Sequence, residues 1–353
     1  MRKKKVLLAG VALAMAFLSM VMLSGCGHDK NALYIYNFGD YIDPDLIEEF
    51  TKETGIKVVY STFDTNEELY PVIRNRTASY DVICASDYML EKMLEEKMLT
   101  EMDYDQIPNS EFLMPEFSAN IEKFDKGAKH VVPHTWGTMG IMYNTEKIPE
   151  GSVKSWNDLW NEKYSGSIVM PDSMRDTMAV ALKAKGYSLN TTKKKELAAA
   201  TKYLIKQKPM VYKYANDAAR DLLVGNSADI GVIWSGEYIY CQELNPSLRF
   251  VIPEEGSEQF IDGWAIPKEA ENKKAAYKWI NFMLSKKAAL KNFDYLYYTI
   301  PNKQVKIGID EKFSNDRVIF PLADDLKSNE ALRYLGPDGD KLYTDYWKEF
   351  KSE

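Results

Sequence analysis

Cysteine and histidine are scarce, with three of each among 353 residues. Cys26, Cys84 and Cys241 lie far apart, which excludes a zinc knuckle and a disulfide-stapled mini-domain. Cys84 sits in the apolar run Val82–Ala85 and reads as a small buried hydrophobe. A Cys84–Cys241 disulfide stays open, without support from spacing. His130 and His134 are separated by Pro133 in an extended segment, so they do not share a helix face as paired metal ligands do. No metal and no cofactor are expected. No glycine-rich phosphate loop opens a helix after a strand, and no GxSxG elbow is present. The chain therefore lacks the usual signatures of a nucleotide enzyme or a serine hydrolase. It also lacks an excess of positive charge, its net charge being −7. The runs Lys193–Lys195, Lys273–Lys274 and Lys286–Lys287 have no interleaved aromatics and read as solvated helix faces, not nucleic-acid patches. There is no fixed-period repeat and no low-complexity segment.

What is present begins with a targeting segment. Arg2, Lys3, Lys4 and Lys5 precede an apolar or small-residue run from Val6 to Leu23, closed by Leu23-Ser24-Gly25-Cys26. The run is long enough for an uncleaved membrane helix. The small residues ending in cysteine favour cleavage instead, and the LSGC sequence resembles a bacterial lipobox, which implies lipidation at Cys26. Residues 1–25 are read as a lipoprotein signal peptide and 26–32 as a tether. Removal of residues 1–25 takes away four cations and no anion, leaving a mature charge of −11. Such a surface attracts cationic solutes.

The body of the chain is long enough for about two domains. Leu33–Phe63 reads as strand, loop, helix and strand. Asp43 caps a helix with Pro44 first, Gly55 ends it, and Ile56–Thr62 alternates as a strand. A third strand, Asp81–Ser86, follows a helix through Tyr70, Val72 and Ile73. This alternation argues for a parallel α/β sheet. Lys129–Asn144 breaks it and reads as a crossing between two lobes. Beyond come a strand at Ser167–Met170, a helix over Thr177–Lys185, a helix capped by Thr192, and strands at Asp229–Trp234 and Leu248–Ile252. Gln259–Pro267 reads as the crossing back. Ala275–Phe293 reads as one long amphipathic helix, and Tyr297–Pro301 as a third crossing. The end, from Asp324, reads as mainly helical.

The candidate site comes from position. Phe38, Asp40, Tyr41, Ser86, Tyr88, Asp176 and Trp234 fall just past the carboxyl ends of expected strands, where open α/β sheets bind ligands. Phe260, Asp262 and Tyr298 fall in the expected crossings. Each residue alone has a plainer reading, as core aromatic or helix cap, and Asp176 in particular suits a cap before Thr177. Together, rings and carboxylates suit an organic cation, each cation–π contact contributing about 0.5–2 kcal/mol. No catalytic residues are expected.

The segments YNFGDYIDPDLIEEFTKETGIKVVYSTFDTNEELY, YDVICASDYMLEKM, SWNDLWNEKYSGSIVMPDSMRDTMAVAL, IGVIWSGE, IDGWAIP with INFML, and YYTIPN resemble, in order, the spermidine/putrescine-binding proteins of bacterial ABC importers. The resemblance runs from about Leu33 to Tyr343. It implies an α/β, two-lobed periplasmic-binding-protein-like fold of type II, with the ligand cleft between lobes joined by crossing segments. Lobe 1 is expected over 33–137 plus 262–303, and lobe 2 over 138–261 plus 304–353. It implies a monomeric, non-enzymatic receptor on the outer side of the cell membrane or in the periplasm, delivering a polyamine to permease subunits. It places stacking and acidic roles on the same ten residues, Phe38, Asp40, Tyr41, Ser86, Tyr88, Asp176, Trp234, Phe260, Asp262 and Tyr298. Phe38 and Phe260 stand where tryptophan is common, Gly39 where some members have a hydroxyl residue, Ser173 where some have a further acid, and Leu332 where some have an amide. These departures leave the choice between spermidine and putrescine open. Two other readings remain: the same fold holding another cationic solute or a metal, and a surface lipoprotein with a different role, such as an enzyme or adhesin.

Overall fold

The computed structural model describes residues 29–321 and 323–353. The expected signal segment and Cys26 lie outside them. No described helix is long and apolar enough to cross a membrane.

β1 (Leu33–Phe38) leads through a short loop into α1 (Asp45–Thr54). The helix starts one residue later than expected, but Asp43 still caps it, its Oδ1 accepting from the Asp45 N–H at 2.9 Å. Gly55 ends it in the left-handed region at φ 72°, its N–H donating to Thr51 O. Then follow β2 (Val58–Phe63), α2 (Asn66–Asn75), β3 (Val82–Ser86), α3 (Asp87–Glu95) and α4 (Pro115–Ile121). β1 lies between β2 and β3 and is parallel to both, as the strand–helix alternation requires.

The expected first crossing is one 14-residue strand, β4 (Val131–Asn144), buried along its whole length. After it come β5 (Ile168–Met170), α5 (Met174–Ala184), α6 (Lys194–Gln207), β6 (Val211–Tyr214), α7 (Ala218–Val224), β7 (Ile230–Trp234), α8 (Glu237–Leu244), β8 (Leu248–Val251) and β9 (Gln259–Ala265). The sheet runs β2-β1-β3-β9-β4-β7-β5-β6, with β8 also on β4. β9 pairs antiparallel with both β3 and the first part of β4, Val131–Thr138. From Met139 onward β4 pairs instead with β7, and from Ile141 with β8. A single strand thus belongs to both halves of the α/β fold. Each half carries its own parallel set, β2-β1-β3 and β7-β5-β6.

Several local expectations are corrected. The helix over Ala275–Phe293 is two helices, α9 (Lys273–Met283) and α10 (Lys286–Leu296). Ser285 breaks them by accepting from the Ala288 N–H and starting a new helix. Thr192 caps nothing; the neighbouring Thr191 Oγ1 accepts from the Lys193 N–H just before α6. α5 begins at Met174, so Asp176 lies inside its first turn and is not a cap before Thr177. The chain after Asp324 is mainly helical, as expected, a 17-residue helix following a short extended stretch. α11 (Lys303–Gly308) and α12 (Glu311–Ser314) precede it, and α13 (Gly336–Ser352) packs on α6 and α5. Between them, residues 328–334 form a strap. Gln259 N–H donates to Glu330 O on this strap, and Arg333 pairs with Glu91 of α3. Cys84 and Cys241 are both buried and free, in separate apolar clusters.

Candidate functional site

The parallel strands of both halves end at one cleft. Phe38, Ser86 and Trp234 are the last residues of β1, β3 and β7. Asp40 and Tyr41 lie in the loop after β1, while Tyr88 and Asp176 occupy the first turns of α3 and α5. β9 runs along the floor. Because strand side chains alternate between faces, Glu258, Phe260 and Asp262 share one face at two-residue spacing. Tyr298 follows α10. All ten expected residues line this one cleft, whose empty volume is ≈ 760 Å³, part of it open to solvent. Ser173 lines it as well.

The rings form a connected wall. The Tyr41 ring meets Phe38 edge-on with centroids 5.3 Å apart, and Tyr298 at 5.4 Å. Phe260 and Tyr298 are 6.2 Å apart, and Trp234 packs against this group. Gly236, two residues after Trp234, permits it: a Cβ there would lie 1.9 Å from the Tyr298 ring. Tyr41 is fixed from two sides. His134 Nε2 is 3.1 Å from the Tyr41 carbonyl oxygen, and the Tyr41 hydroxyl lies 2.7 Å from Thr135 Oγ1. Burial pushes the His134 imidazole down to about 4, so it is neutral near pH 7 and donates one N–H.

The acids are the second feature. Asp40, Asp64, Asp176, Asp217, Glu237, Glu258 and Asp262 line the cleft, and among the described residues no lysine or arginine does. Asp262 is 4 % exposed. It stands between Ser86 on β3 and Thr135 on β4. Its Oδ2 accepts from the Tyr41 hydroxyl, while Oδ1 is buried without a hydrogen-bond partner among the described residues. Burial lifts its pKa from 3.8 to about 6. Burial likewise lifts Glu237 to about 7, even with Arg220 nearby. Glu258 is pushed well above the usual carboxylate range, first by burial and then by Asp176 beside it. A buried carboxylate left without a counter-charge is unfavourable, and a cation entering the cleft relieves that.

Polar contacts line the mouth, and those of Arg220 with Asp40 and of Asn216 with Asp64 join the two halves. Arg220 Nη2 donates to Asp40 Oδ2 at 2.6 Å, and its Nη1 to Glu237 Oε2 at 3.4 Å. Asn216 Nδ2 donates to Asp64 Oδ2 at 3.0 Å. Asn66 and Ser86 exchange hydrogen bonds of 3.0 and 3.2 Å, and the Tyr88 hydroxyl donates to Glu67 at 3.1 Å.

Sequence reasoning missed Glu258, Asp217, Asp64 and Arg220. The signal for Glu258 existed: stepping back two residues from Phe260 along the alternation reaches it. Arg220 and Asp217 stand on or beside the short helix α7, which has no distinctive pattern, and no sequence signal pairs position 220 with position 40.

A family model described as bacterial extracellular solute-binding protein matches residues 45–321. The spermidine/putrescine-binding periplasmic protein of Escherichia coli (strain K12) is 33 % identical over 341 residues, covering 96 % of this chain and 97 % of that protein. A solved structure of the spermidine/putrescine ABC transporter substrate-binding protein PotD from Streptococcus pneumoniae is 37 % identical, with a TM-score of 0.76 over 91 % of this chain and 99 % of that one. A solved structure from Listeria monocytogenes, also 37 % identical, superposes with a TM-score of 0.87 over the same shares.

Proposed function

The chain belongs to the bacterial extracellular solute-binding proteins, and we propose that it captures a polyamine, spermidine or putrescine, and hands it to an ABC importer. The observation that carries this reading is the acidic cleft walled by aromatic rings, in which Asp262 and Glu258 are buried and each keeps an oxygen without a hydrogen-bond partner among the described residues. Methylene segments of a polyamine lie between Phe38, Tyr41, Tyr88, Trp234, Phe260 and Tyr298. Its ammonium groups are held by Asp40, Asp176 and Asp262, with the Ser86 hydroxyl alongside. Each charged hydrogen bond contributes about 1.5–3 kcal/mol net, and each ring contact about 0.5–2 kcal/mol. After the costs of ordering, such a set reaches micromolar affinity or better.

Lobe 1 comprises 33–137 and 262–303, and lobe 2 comprises 138–261 and 304–353. The segment from 303 to 320 bridges them, against α10 on one side and Ile239 on the other. The ligand touches both lobes, so it favours their closed arrangement, and permease subunits read that arrangement. The cycle is capture and release, without a bond-making step. The mature chain acts as a monomer, tethered by lipid on Cys26 through residues 26–32.

Thermal melting of protein refolded from denaturant, to strip carried-over ligand, tests the reading. A ligand at a thousand times its Kd stabilises by roughly 4 kcal/mol, so millimolar spermidine or putrescine should raise the melting temperature clearly. Polyamines without effect, alongside stabilisation by an anionic solute or ferric iron, would overturn it.

A further inference from the structure

Glu258 is unused by the reading above. It lies just before β9, 4 % exposed, and lines the cleft. Its Oε2 is buried and accepts no hydrogen bond from the described residues. Beside it stands Asp176 from α5, close enough for the two carboxyl groups to share a proton. The other charged groups facing it are Arg175 from α5 and Asp87 from α3. Asp262 follows four residues further along, on the same face. Glu330 of the strap adjoins it through the backbone, but its own carboxylate is already held by Lys183 and Ser188.

Arg175 offsets part of the pair's charge through space, but its hydrogen bonds go elsewhere. Its Nη1 donates to Arg333 O at 3.1 Å and its Nη2 to Asn190 Oδ1 at 3.2 Å. Asp87 accepts from the Tyr88 N–H at 2.7 Å and is turned to its own helix start. Two carboxyl groups thus meet at one end of a cleft, one of them buried with an unpartnered oxygen, and no lysine or arginine among the described residues hydrogen-bonds to either. Two adjacent carboxylates in a low-dielectric pocket do not both ionise; one proton stays between them.

Resting on the polyamine reading, we propose that Glu258 and Asp176 form a proton-holding ammonium station. In the empty cleft they share one proton. A terminal ammonium of the ligand then takes its place, donating to both carboxylates while the proton leaves to solvent. The balance at the station is one ammonium in and one proton out, so the charge there does not change on binding. Affinity should therefore rise about tenfold per unit of pH while the pair keeps its proton. Asp262 and Glu237, raised only to about 6 and about 7, are ionised at pH 8 and contribute little there.

The test is calorimetric titration of spermidine at pH 8 in buffers of different ionisation enthalpy, for wild-type protein, Glu258→Gln and Glu258→Asp. The amine's own protonation cancels in the comparison. Wild type should release about one more proton per bound spermidine than Glu258→Gln, bind it at least tenfold tighter, and share its proton release with Glu258→Asp. Equal proton release by wild type and Glu258→Gln would overturn the station and leave the polyamine reading standing. No heat with wild type would remove both. Carbon-13 NMR of the glutamate carboxyl groups in wild-type protein needs no variant. The Glu258 signal should move from protonated to ionised as spermidine is added at pH 8, and an unchanged signal would overturn the proposal.

Discussion

Replacing Asp262 by Asn keeps the shape of the cleft floor and removes one charge. The amide oxygen still accepts from the Tyr41 hydroxyl, as Oδ2 does now. The other carboxylate oxygen, buried without a partner, becomes an N–H donor where an ammonium needs an acceptor. Losing a charged hydrogen bond costs about 1.5–3 kcal/mol, roughly a 10- to 150-fold loss of affinity. The empty protein should respond in the opposite direction. Burial raises the Asp262 pKa from 3.8 to about 6, so the folded state binds more protons than the unfolded chain between about pH 4 and 6. The stability from that uptake is fully present below pH 4 and is lost as pH rises through 6. The shift of roughly 2 pH units corresponds to about 3 kcal/mol that the ionised group withholds at pH 8, and the neutral amide escapes this penalty. Calorimetric titration with spermidine and thermal melting without ligand, at pH 5 and pH 8, read both effects. The variant should bind weakly at pH 8 yet melt higher when empty, with the melting difference shrinking toward pH 4. An unchanged isotherm would remove Asp262 from the site, and a lower melting temperature at pH 8 would refute the desolvation argument.

Trp234→Leu should weaken spermidine binding by roughly 2- to 30-fold, the range of one cation–π contact, and Trp234→Tyr should restore part of it; equal loss from both would mark Trp234 as packing only. Arg220→Met removes the bridge from Asp40 to Glu237 across the cleft mouth. The Asp40 side chain is 53 % exposed, so the bridge contributes about 1 kcal/mol or less, and spermidine release in stopped flow should quicken by up to about fivefold; an unchanged rate would show that the bridge does not hold the closed form. Gly236→Ala places a methyl group against the Tyr298 ring and should strain the wall by about 1–3 kcal/mol. Calorimetry should register this as weakened binding without any change in charge, and full affinity would place the Tyr298 ring outside the site.

The local signals in the chain proved legible where backbone chemistry is decisive. Asp43 and Gly55 frame α1 as their capping preferences require. The β-branched runs became β1, β3 and β7, and the residues at their ends converge on one cleft. Periodicity failed where one polar side chain overrode it. The apolar spacing continues through Ser285, yet its hydroxyl starts a second helix. β6 was missed because Val211–Tyr214 is short and half-polar, an edge strand without alternation worth the name. Glu258 was missed for a different reason. After Glu254 and Glu255 it reads as one more solvated charge, although the alternation carried back from Phe260 turns it inward. The bridge from Asp40 to Arg220 joins residues 180 positions apart, a pairing set by the closure of two lobes that no local pattern encodes.

The most direct test of the central claim is calorimetric titration of refolded residues 27–353 with spermidine and then putrescine. Submicromolar one-to-one binding of at least one of them is the expected result, and the ratio of the two affinities fixes the preferred polyamine. Folded protein that gives no heat with either, at several temperatures, would contradict the account.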